Sequence, residues 1–171
     1  SKEVVSYMLS GMDNMKVAGS VNSAVAPFLK GIKIACILNI TEENSRELYE
    51  ILEGTGSNLN SDKNHGKCLV FLYRRESFSR YLKRTDVREF LGSYGYEDVE
   101  PEKMLERLSK RVCQYSDGES VFRIDGAFLD YPIDDVKCFI EKDGKDSLFS
   151  GYWKVYNNPG RAKMIFWAYD K

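Results

Sequence analysis

The sequence predicts an α+β fold, a single domain in which a mixed sheet of about four strands packs with about five to seven helices. Three observations predict this class: short β-branched apolar runs typical of buried strands, stretches with apolar residues at helical spacing between them, and a length of 171 residues. Hydrophobic residues make up 43% of the chain and charged residues 30%, as is ordinary for a globular protein. We therefore expect one domain over residues 1–171 with its own hydrophobic core.

The charges nearly balance. Lys and Arg number 25 and Asp and Glu number 26, so the formal net charge of −1 gives no global attraction to nucleic acid or anionic lipid. No apolar run approaches the roughly 20 residues that a membrane-spanning helix needs. The first residues, Ser1 to Met15, mix charges into apolar positions, unlike a signal peptide. We expect a cytoplasmic protein without membrane partners.

The cysteine and histidine content argues against metal and thiol chemistry. The four cysteines include no C-x-x-C pair, and Cys36 and Cys68 stand inside apolar runs, where a thiol behaves as a small hydrophobe. A catalytic Cys–His pair would require the single histidine, His65, to fold over Cys113. We therefore predict no disulfide framework, no metal, no cofactor and no catalytic set.

The first third of the chain alternates helix and strand signals. Apolar residues from Val4 to Met15 recur at helical spacing, which predicts an N-terminal helix that ends before Gly19. We then predict a loop over Ser20 to Ala26, a turn over Pro27 to Gly31 and a strand over Ile32 to Ile40. Thr41 is a cap for a second helix that ends at Gly54. The Gly- and Asn-rich stretch that follows predicts a flexible polar loop at about residues 54–66.

The middle of the chain contains the strongest strand signal and a cluster of positive charges. Lys67 to Tyr73 is an apolar run typical of a buried strand, and Glu76 to Arg84 predicts a short helix with Phe78, Tyr81 and Leu82 facing inward. A local group of cations, called the basic cluster below, surrounds these elements: Arg74, Arg75, Arg80, Lys83 and Arg84. The cluster has two interpretations, a nucleic-acid-binding patch or a solvated helix face.

Further helices follow. Thr85 is a cap for a helix over Asp86 to Leu91, and Glu100-Pro101-Glu102 is a helix start whose apolar stripe includes Met104, Leu105 and Leu108. Apolar and polar residues alternate from Ser120 to Ile124, which predicts a short strand.

The C-terminal block carries the densest aromatic clustering. Pro132 opens a helix that Gly144 closes, with Asp134 and Asp135 in its first turn, where the helix dipole favours carboxylates.

Aromatic and polar residues alternate from Phe149 to Tyr156, which predicts one strand. That strand would show Tyr152, Lys154 and Tyr156 on one face and Trp153 and Val155 on the other. Asn157-Asn158-Pro159 starts a last helix in which Met164 and Trp167 face away from Ala162, Ile165, Phe166 and Tyr169.

The motifs in this block resemble a known family. G-A-F-L-D-Y-P at 126–132, D-V-K-C-F-I at 135–140 and G-Y-W-K-V-Y at 151–156, with A-P-F-L-K-G-I-K at 26–33, resemble the domain of unknown function 3793 family, which is bacterial and chiefly clostridial. The resemblance implies a divergent member and no assigned activity. The family's Pro-His-Glu would fall on Phe122, Arg123 and Ile124, and two of its glycines are replaced here by Asp130 and Cys138. The chemistry that a His-Glu pair would support is therefore not expected in this chain.

Three functions are consistent with these residues. The leading hypothesis is a non-enzymatic protein-binding module, such as a regulator or a phage-type inhibitor of a host protein complex. Its interface candidates are Tyr131, Tyr152, Lys154, Tyr156 and Trp167, because exposed Tyr and Trp dominate binding energy at interfaces. One alternative is nucleic-acid binding through the basic cluster.

The other alternative is a small hydrolase-like enzyme using an Asp-rich turn. Its acids would be Asp125, Asp130, Asp134 and Asp135. Helix capping and turn chemistry explain the same four residues without catalysis.

Overall fold

A computed structural model describes residues 25–41, 57–64, 67–97, 100–114 and 125–171. The predicted N-terminal helix, the helix capped by Thr41 and the strand over Ser120 to Ile124 lie outside these residues. The described part is α+β, as the sequence predicted, and contains seven helices and five strands. The chain divides into two compact units, Ser1–Glu76 and Ser77–Lys171.

The described part of the first unit contains one short helix and one sheet. Helix α1 spans Val25–Leu29, and strands β1, β2 and β3 span Ala35–Thr41, Ser57–Asn64 and Lys67–Arg74. The strands form an antiparallel sheet in the order β1-β3-β2, in which Ala35 is opposite Tyr73. The apolar residues Val70 to Tyr73 of the central strand are buried. The two predicted strands are therefore confirmed, with β1 starting three residues later than expected.

Two predictions in this unit are wrong. Val25–Leu29 forms a helix where a loop and a turn were expected. Ser57–Asn64, expected to lie within a polar loop, pairs with β3 along its whole length, from Ser57 opposite Arg74 to Asn64 opposite Lys67. The backbone explains this strand: β3 is buried, so the N–H and C=O groups on its second edge need partners, and a polar segment supplies them as well as an apolar one.

The second unit contains most of the helices and a small hairpin. In chain order the elements are α2 (Arg75–Leu82, starting at the junction of the units), α3 (Thr85–Ser93), α4 (Pro101–Gln114), α5 (Asp125–Phe128), α6 (Ile133–Glu141), β4 (Phe149–Ser150), β5 (Lys154–Val155) and α7 (Pro159–Asp170). The expected single mixed sheet is therefore wrong, because β4 and β5 form a sheet of their own.

The predicted helix faces of this unit are confirmed. Phe78, Tyr81 and Leu82 of α2 are buried, and the Tyr81 hydroxyl donates a 2.6 Å hydrogen bond to the carbonyl oxygen of Ala127 in α5. The buried apolar residues of the next four helices include Val87, Phe90, Leu91, Met104, Leu105, Leu108, Ala127, Phe128, Ile133 and Val136. A further cluster of Trp153, Val155, Ala162 and Tyr169 joins the hairpin to α7.

The hairpin replaces the single strand predicted over Phe149 to Tyr156. Phe149 pairs with Val155 and Ser150 with Lys154, so the chain reverses between them. Gly151 leaves room for α7 beside this turn, since a Cβ there would collide with Cε2 of Phe166. The inward residues were nevertheless predicted correctly: Trp153 and Val155 are buried. In the described residues no helix combines the length and the apolar character that crossing a bilayer requires.

Candidate functional site

Helix α7 has one side packed into the core and one side facing solvent. Its N-terminus is capped by Asn158, whose side-chain oxygen accepts a 3.3 Å hydrogen bond from the backbone N–H of Arg161. Ala162 and Tyr169 are buried in the C-terminal core cluster. The opposite side exposes Met164 by 74% and Trp167 by 64%, as the sequence predicted.

We call this surface the α7 outer face and define it as Gly160, Met164, Trp167 and Lys171. Their spacing of four, three and four residues puts them on one stripe of the helix. The Lys171 ammonium lies 5.0 Å from the Trp167 ring centroid, a cation–π distance. A Cβ at Gly160 would meet nothing within 4 Å. The face is therefore open, with an apolar centre and a cationic end.

Two of the other interface candidates contribute to the core beside α7. Tyr131 is half-buried, with its ring 5.4 Å from that of Trp153. Tyr152 is also half-buried. Its hydroxyl donates a 2.8 Å hydrogen bond to Asp170, and its ring lies 4.8 Å from that of Tyr169. Burial, followed by the hydrogen bond to Asp170 and its charge, raises the pKa of Tyr152 to about 12. Both tyrosines therefore have structural partners of their own.

The last two candidates also make intramolecular contacts. Lys154 is exposed, but its ammonium donates a 2.6 Å hydrogen bond to the carbonyl oxygen of Gly144. Tyr156 is half-buried beneath the Lys142 ammonium, which lies 5.4 Å from its ring centroid, and burial raises the pKa of its hydroxyl. Among the five candidates, Trp167 is thus the aromatic side chain with the most surface available to a partner.

The basic cluster is divided between the two units. Arg74 and Arg75 belong to the first unit. The Arg74 guanidinium donates a 2.7 Å hydrogen bond to the carbonyl oxygen of Phe28 and lies 5.1 Å from the Phe28 ring centroid. It thereby satisfies a carbonyl at the end of α1, a role that cations commonly take at helix C-termini.

The other three cations belong to the second unit. Arg84 forms a 2.6 Å ion pair with Asp86 and lies 5.5 Å from the Tyr81 ring centroid. The hydrogen bonds that the Arg84 guanidinium donates to the Asp86 carboxylate raise the pKa of Arg84. Arg80 and Lys83 are exposed. Closeness in the sequence is therefore a poor guide to which of the five cations could bind a nucleic acid, because Arg74 and Arg84 already bind other groups of the chain.

The four acids of the Asp-rich turn have different environments. Asp134 is exposed, whereas Asp135 is 2% exposed and its carboxylate accepts four hydrogen bonds. Asp130 has a left-handed backbone with φ of 62°. The side chain of Asp125 lies outside the described part. Asp135 therefore has a structural role, because its carboxylate links α6 to the residues around β5. Its position in the first turn of a helix did not predict that role.

The cysteines with described side chains are both free thiols. Burial raises the pKa of the Cys36 thiol to about 12, which keeps it protonated and poorly nucleophilic. Cys138 is half-buried, with its Sγ 3.5 Å from the side-chain amide of Asn157. Within the described ranges no group of three or more His, Cys, Asp or Glu side chains could hold a metal ion. His65 and the positions aligned with the family's His-Glu pair, Arg123 and Ile124, are not among the described residues.

Comparison with protein-family models identifies a family for most of the chain. A family model described as "Protein of unknown function (DUF3793)" matches residues 21–171. No curated protein and no solved structure matches the chain.

Proposed function

We propose that this chain, which belongs to the DUF3793 family of unknown function, is a non-enzymatic protein-binding module whose contact surface is the α7 outer face. One observation carries the proposal: Met164 and Trp167 expose 74% and 64% of their surface on a single helix stripe. The other side of the same helix is fixed in the core, so the backbone that carries the exposed pair is already ordered before binding. Large exposed apolar side chains on a rigid element are typical of surfaces that meet another protein.

The residues around the apolar pair favour a partner of a particular chemistry. Arg161, Lys163 and Lys171 are exposed on or beside the α7 outer face. The nearby acid, Asp170, accepts the hydrogen bond from Tyr152. Positive charge around a central Trp and Met suits an apolar socket bordered by carboxylates, because complementary charges speed association and fix register. A module that occupies such a socket acts as a regulator or an inhibitor of the protein that carries it.

Site-specific photocrosslinking tests the proposal. The protein, with p-benzoylphenylalanine in place of Trp167, is irradiated in a lysate of the source organism. A second sample has the crosslinker in place of Lys137, an exposed residue of α6. We expect one discrete adduct of defined mass at position 167 and none at position 137. The yield of the adduct at position 167 should fall when Met164 is replaced by Ser, because one of the two apolar side chains at the centre of the face is then lost.

Two outcomes would contradict the proposal. One is the absence of any discrete adduct at position 167, and the other is the same pattern of adducts at positions 167 and 137. An adduct with the mass of two copies of this chain would identify the bound protein as a second copy. Circular dichroism of the Met164→Ser variant provides the control, since substitution of a 74% exposed side chain should leave the fold intact.

A further inference from the structure

A surface pocket of about 450 Å³ lies in the second unit, beside helix α3. Four of its lining residues are on α3, and the others come from α2, the segment after α3, and α4. They are Leu82, Thr85, Arg88, Glu89, Gly92, Tyr96, Glu97 and Met104. The α3 residues follow the spacing i, i+3, i+4 and i+7, so they form one face of that helix. The volume is in the range of small-molecule sites.

The floor of this α3 pocket is apolar and held in place. Leu82, Tyr96 and Met104 are each buried, with exposures of 1%, 4% and 3%. The Tyr96 ring meets the Phe128 ring edge-on at 5.2 Å, and the Arg111 guanidinium lies 5.2 Å from the Tyr96 ring centroid. Leu82, Tyr96 and Met104 therefore form a rigid base for the pocket, and the small surface that they expose to it is largely apolar.

The rim of the pocket carries charges of both signs. Arg88, Glu89 and Glu97 are exposed, and none of the three has an ion pair or side-chain hydrogen bond among the described residues. Other charges on this unit do pair, since Arg84 binds Asp86 at 2.6 Å and Lys110 binds Glu106 at 2.7 Å. One guanidinium and two carboxylates are thus available around a common opening.

Gly92 leaves this opening wide. It is exposed, and a Cβ built on it would meet nothing within 4 Å. Glycine inside a helix is unfavourable relative to alanine because of its backbone freedom. Its position on the lining face means that a larger side chain there would extend into the pocket rather than into the core.

We propose that the α3 pocket binds a small zwitterion with an apolar body, that is, an α-amino acid with an aliphatic or aromatic side chain. The side chain would lie on Leu82, Tyr96 and Met104. The guanidinium of Arg88 donates to the ligand carboxylate, and the carboxylates of Glu89 and Glu97 accept from its ammonium. The carboxylates of Glu89 and Glu97 would repel a simple anion, and the guanidinium of Arg88 would repel a simple cation. A ligand that carries both charges can bind all three groups.

Amide NMR titration of the full chain tests this site with L-leucine, L-methionine and L-phenylalanine as probes. Two leucine analogues separate the charges: 4-methylpentanoic acid lacks the ammonium and 3-methylbutylamine lacks the carboxylate. We expect saturable shifts at α3 and Tyr96 with an amino acid, and binding about tenfold weaker or worse with each analogue. If no pocket resonance shifts with any amino acid at millimolar concentration, or if an analogue binds as tightly as leucine, the proposal is overturned.

Variants add a second test. Arg88→Gln should weaken leucine binding about tenfold, because a charge-assisted contact is lost, whereas Arg80→Gln, an exposed arginine of α2 outside the pocket, should bind like the wild type. Gly92→Phe should abolish binding by filling the opening, with circular dichroism unchanged. Binding that survives Arg88→Gln undiminished would show that Arg88 does not hold the carboxylate and would overturn the assignment, whether or not Gly92→Phe folds.

Discussion

The carboxylate of Asp135 accepts a 2.8 Å hydrogen bond from the indole Nε1 of Trp153, which lies 18 residues further along the chain. Its other oxygen accepts hydrogen bonds from the backbone N–H of Tyr156 at 3.0 Å, and from the backbone and side-chain N–H groups of Asn157 at 2.7 and 3.1 Å. One side chain in the first turn of α6 therefore fixes the strand β5 and the start of α7, on which the α7 outer face depends.

Replacing Asp135 should be among the most damaging single changes in the second unit. Asp135→Ala should lower the free energy of unfolding by about 3 kcal/mol or more, because it leaves several donors without an acceptor. Asp135→Asn keeps the shape but turns an N–H₂ group toward a donor, so we expect an intermediate loss of about 1–3 kcal/mol. Urea unfolding followed by tryptophan fluorescence measures both.

The neighbouring acid provides the matched control. Asp134 is exposed in the same helical turn, so Asp134→Asn should change the free energy of unfolding by no more than about 0.5 kcal/mol. Equal effects of Asp134→Asn and Asp135→Asn would mean that helix-dipole interactions, rather than the four hydrogen bonds, account for the role of Asp135.

A side chain at Gly151 should destabilise the protein. The Phe166 ring centroid lies 4.5 Å from that of Trp153 and 5.4 Å from that of Tyr152, and a Cβ on Gly151 would collide with Cε2 of Phe166. We expect Gly151→Ala to cost about 1–3 kcal/mol through overpacking. The cost should shrink by at least about 0.5 kcal/mol in a Phe166→Leu background, measured as a double-mutant cycle.

Gly160 is the control for this substitution, since a Cβ there meets no atom within 4 Å. Gly160→Ala should leave the stability unchanged or raise it by up to about 1 kcal/mol, because alanine favours the helix. A Gly151→Ala protein as stable as Gly160→Ala would refute the overpacking argument.

Asp130 adopts a backbone conformation that suits glycine. Its φ of 62° is left-handed, and the family pattern that this chain resembles has glycine at the position. Asp130→Gly should therefore be more stable than Asp130→Ala by about 1 kcal/mol or more, measured by urea unfolding. Both variants lose the carboxylate, so their difference reports the backbone alone. Equal stabilities would indicate that the left-handed conformation carries no cost here.

The sequence was sufficient to predict the elements whose buried side chains recur at a regular spacing along the chain. The helices α2, α4, α6 and α7 and the strands β1 and β3 all present apolar residues at the spacing that their geometry requires. Exposure of Trp167 followed from the same argument, because α7 has apolar residues on more than one side. Periodicity thus identified the residue on which the proposed function rests.

What the sequence did not predict depends on backbone pairing or on a contact between distant residues. The strand β2 forms against β3 through main-chain hydrogen bonds, which leave no pattern in its polar side chains. The hairpin alternates apolar and polar residues like a continuous strand, so the alternation does not reveal the reversal that pairs Phe149 with Val155. Arg74 was assigned to a surface cluster, although its partner is the carbonyl of Phe28, 46 residues away.

The high pKa of Tyr152 makes stability depend on pH in the alkaline range. Tyrosine ionises near pH 10 in an unfolded chain, whereas burial and the contact with Asp170 raise the pKa of Tyr152 to about 12 in the folded protein. The folded state therefore holds this proton more tightly. The resulting stabilisation is complete below about pH 10 and is lost as the pH rises toward about 12.

Tyr152→Phe should make the alkaline loss of stability shallower, because one of the tyrosines responsible is removed. The decline should not vanish, since burial also raises the pKa values of Tyr81 and Tyr169. Asp170→Asn should move the ionisation of Tyr152 to lower pH, because the hydrogen-bond acceptor loses its negative charge. Tyrosinate absorbance and urea unfolding across this range measure both effects. Identical pH dependence in the wild type and Tyr152→Phe would show that the contact with Asp170 does not contribute to alkaline stability.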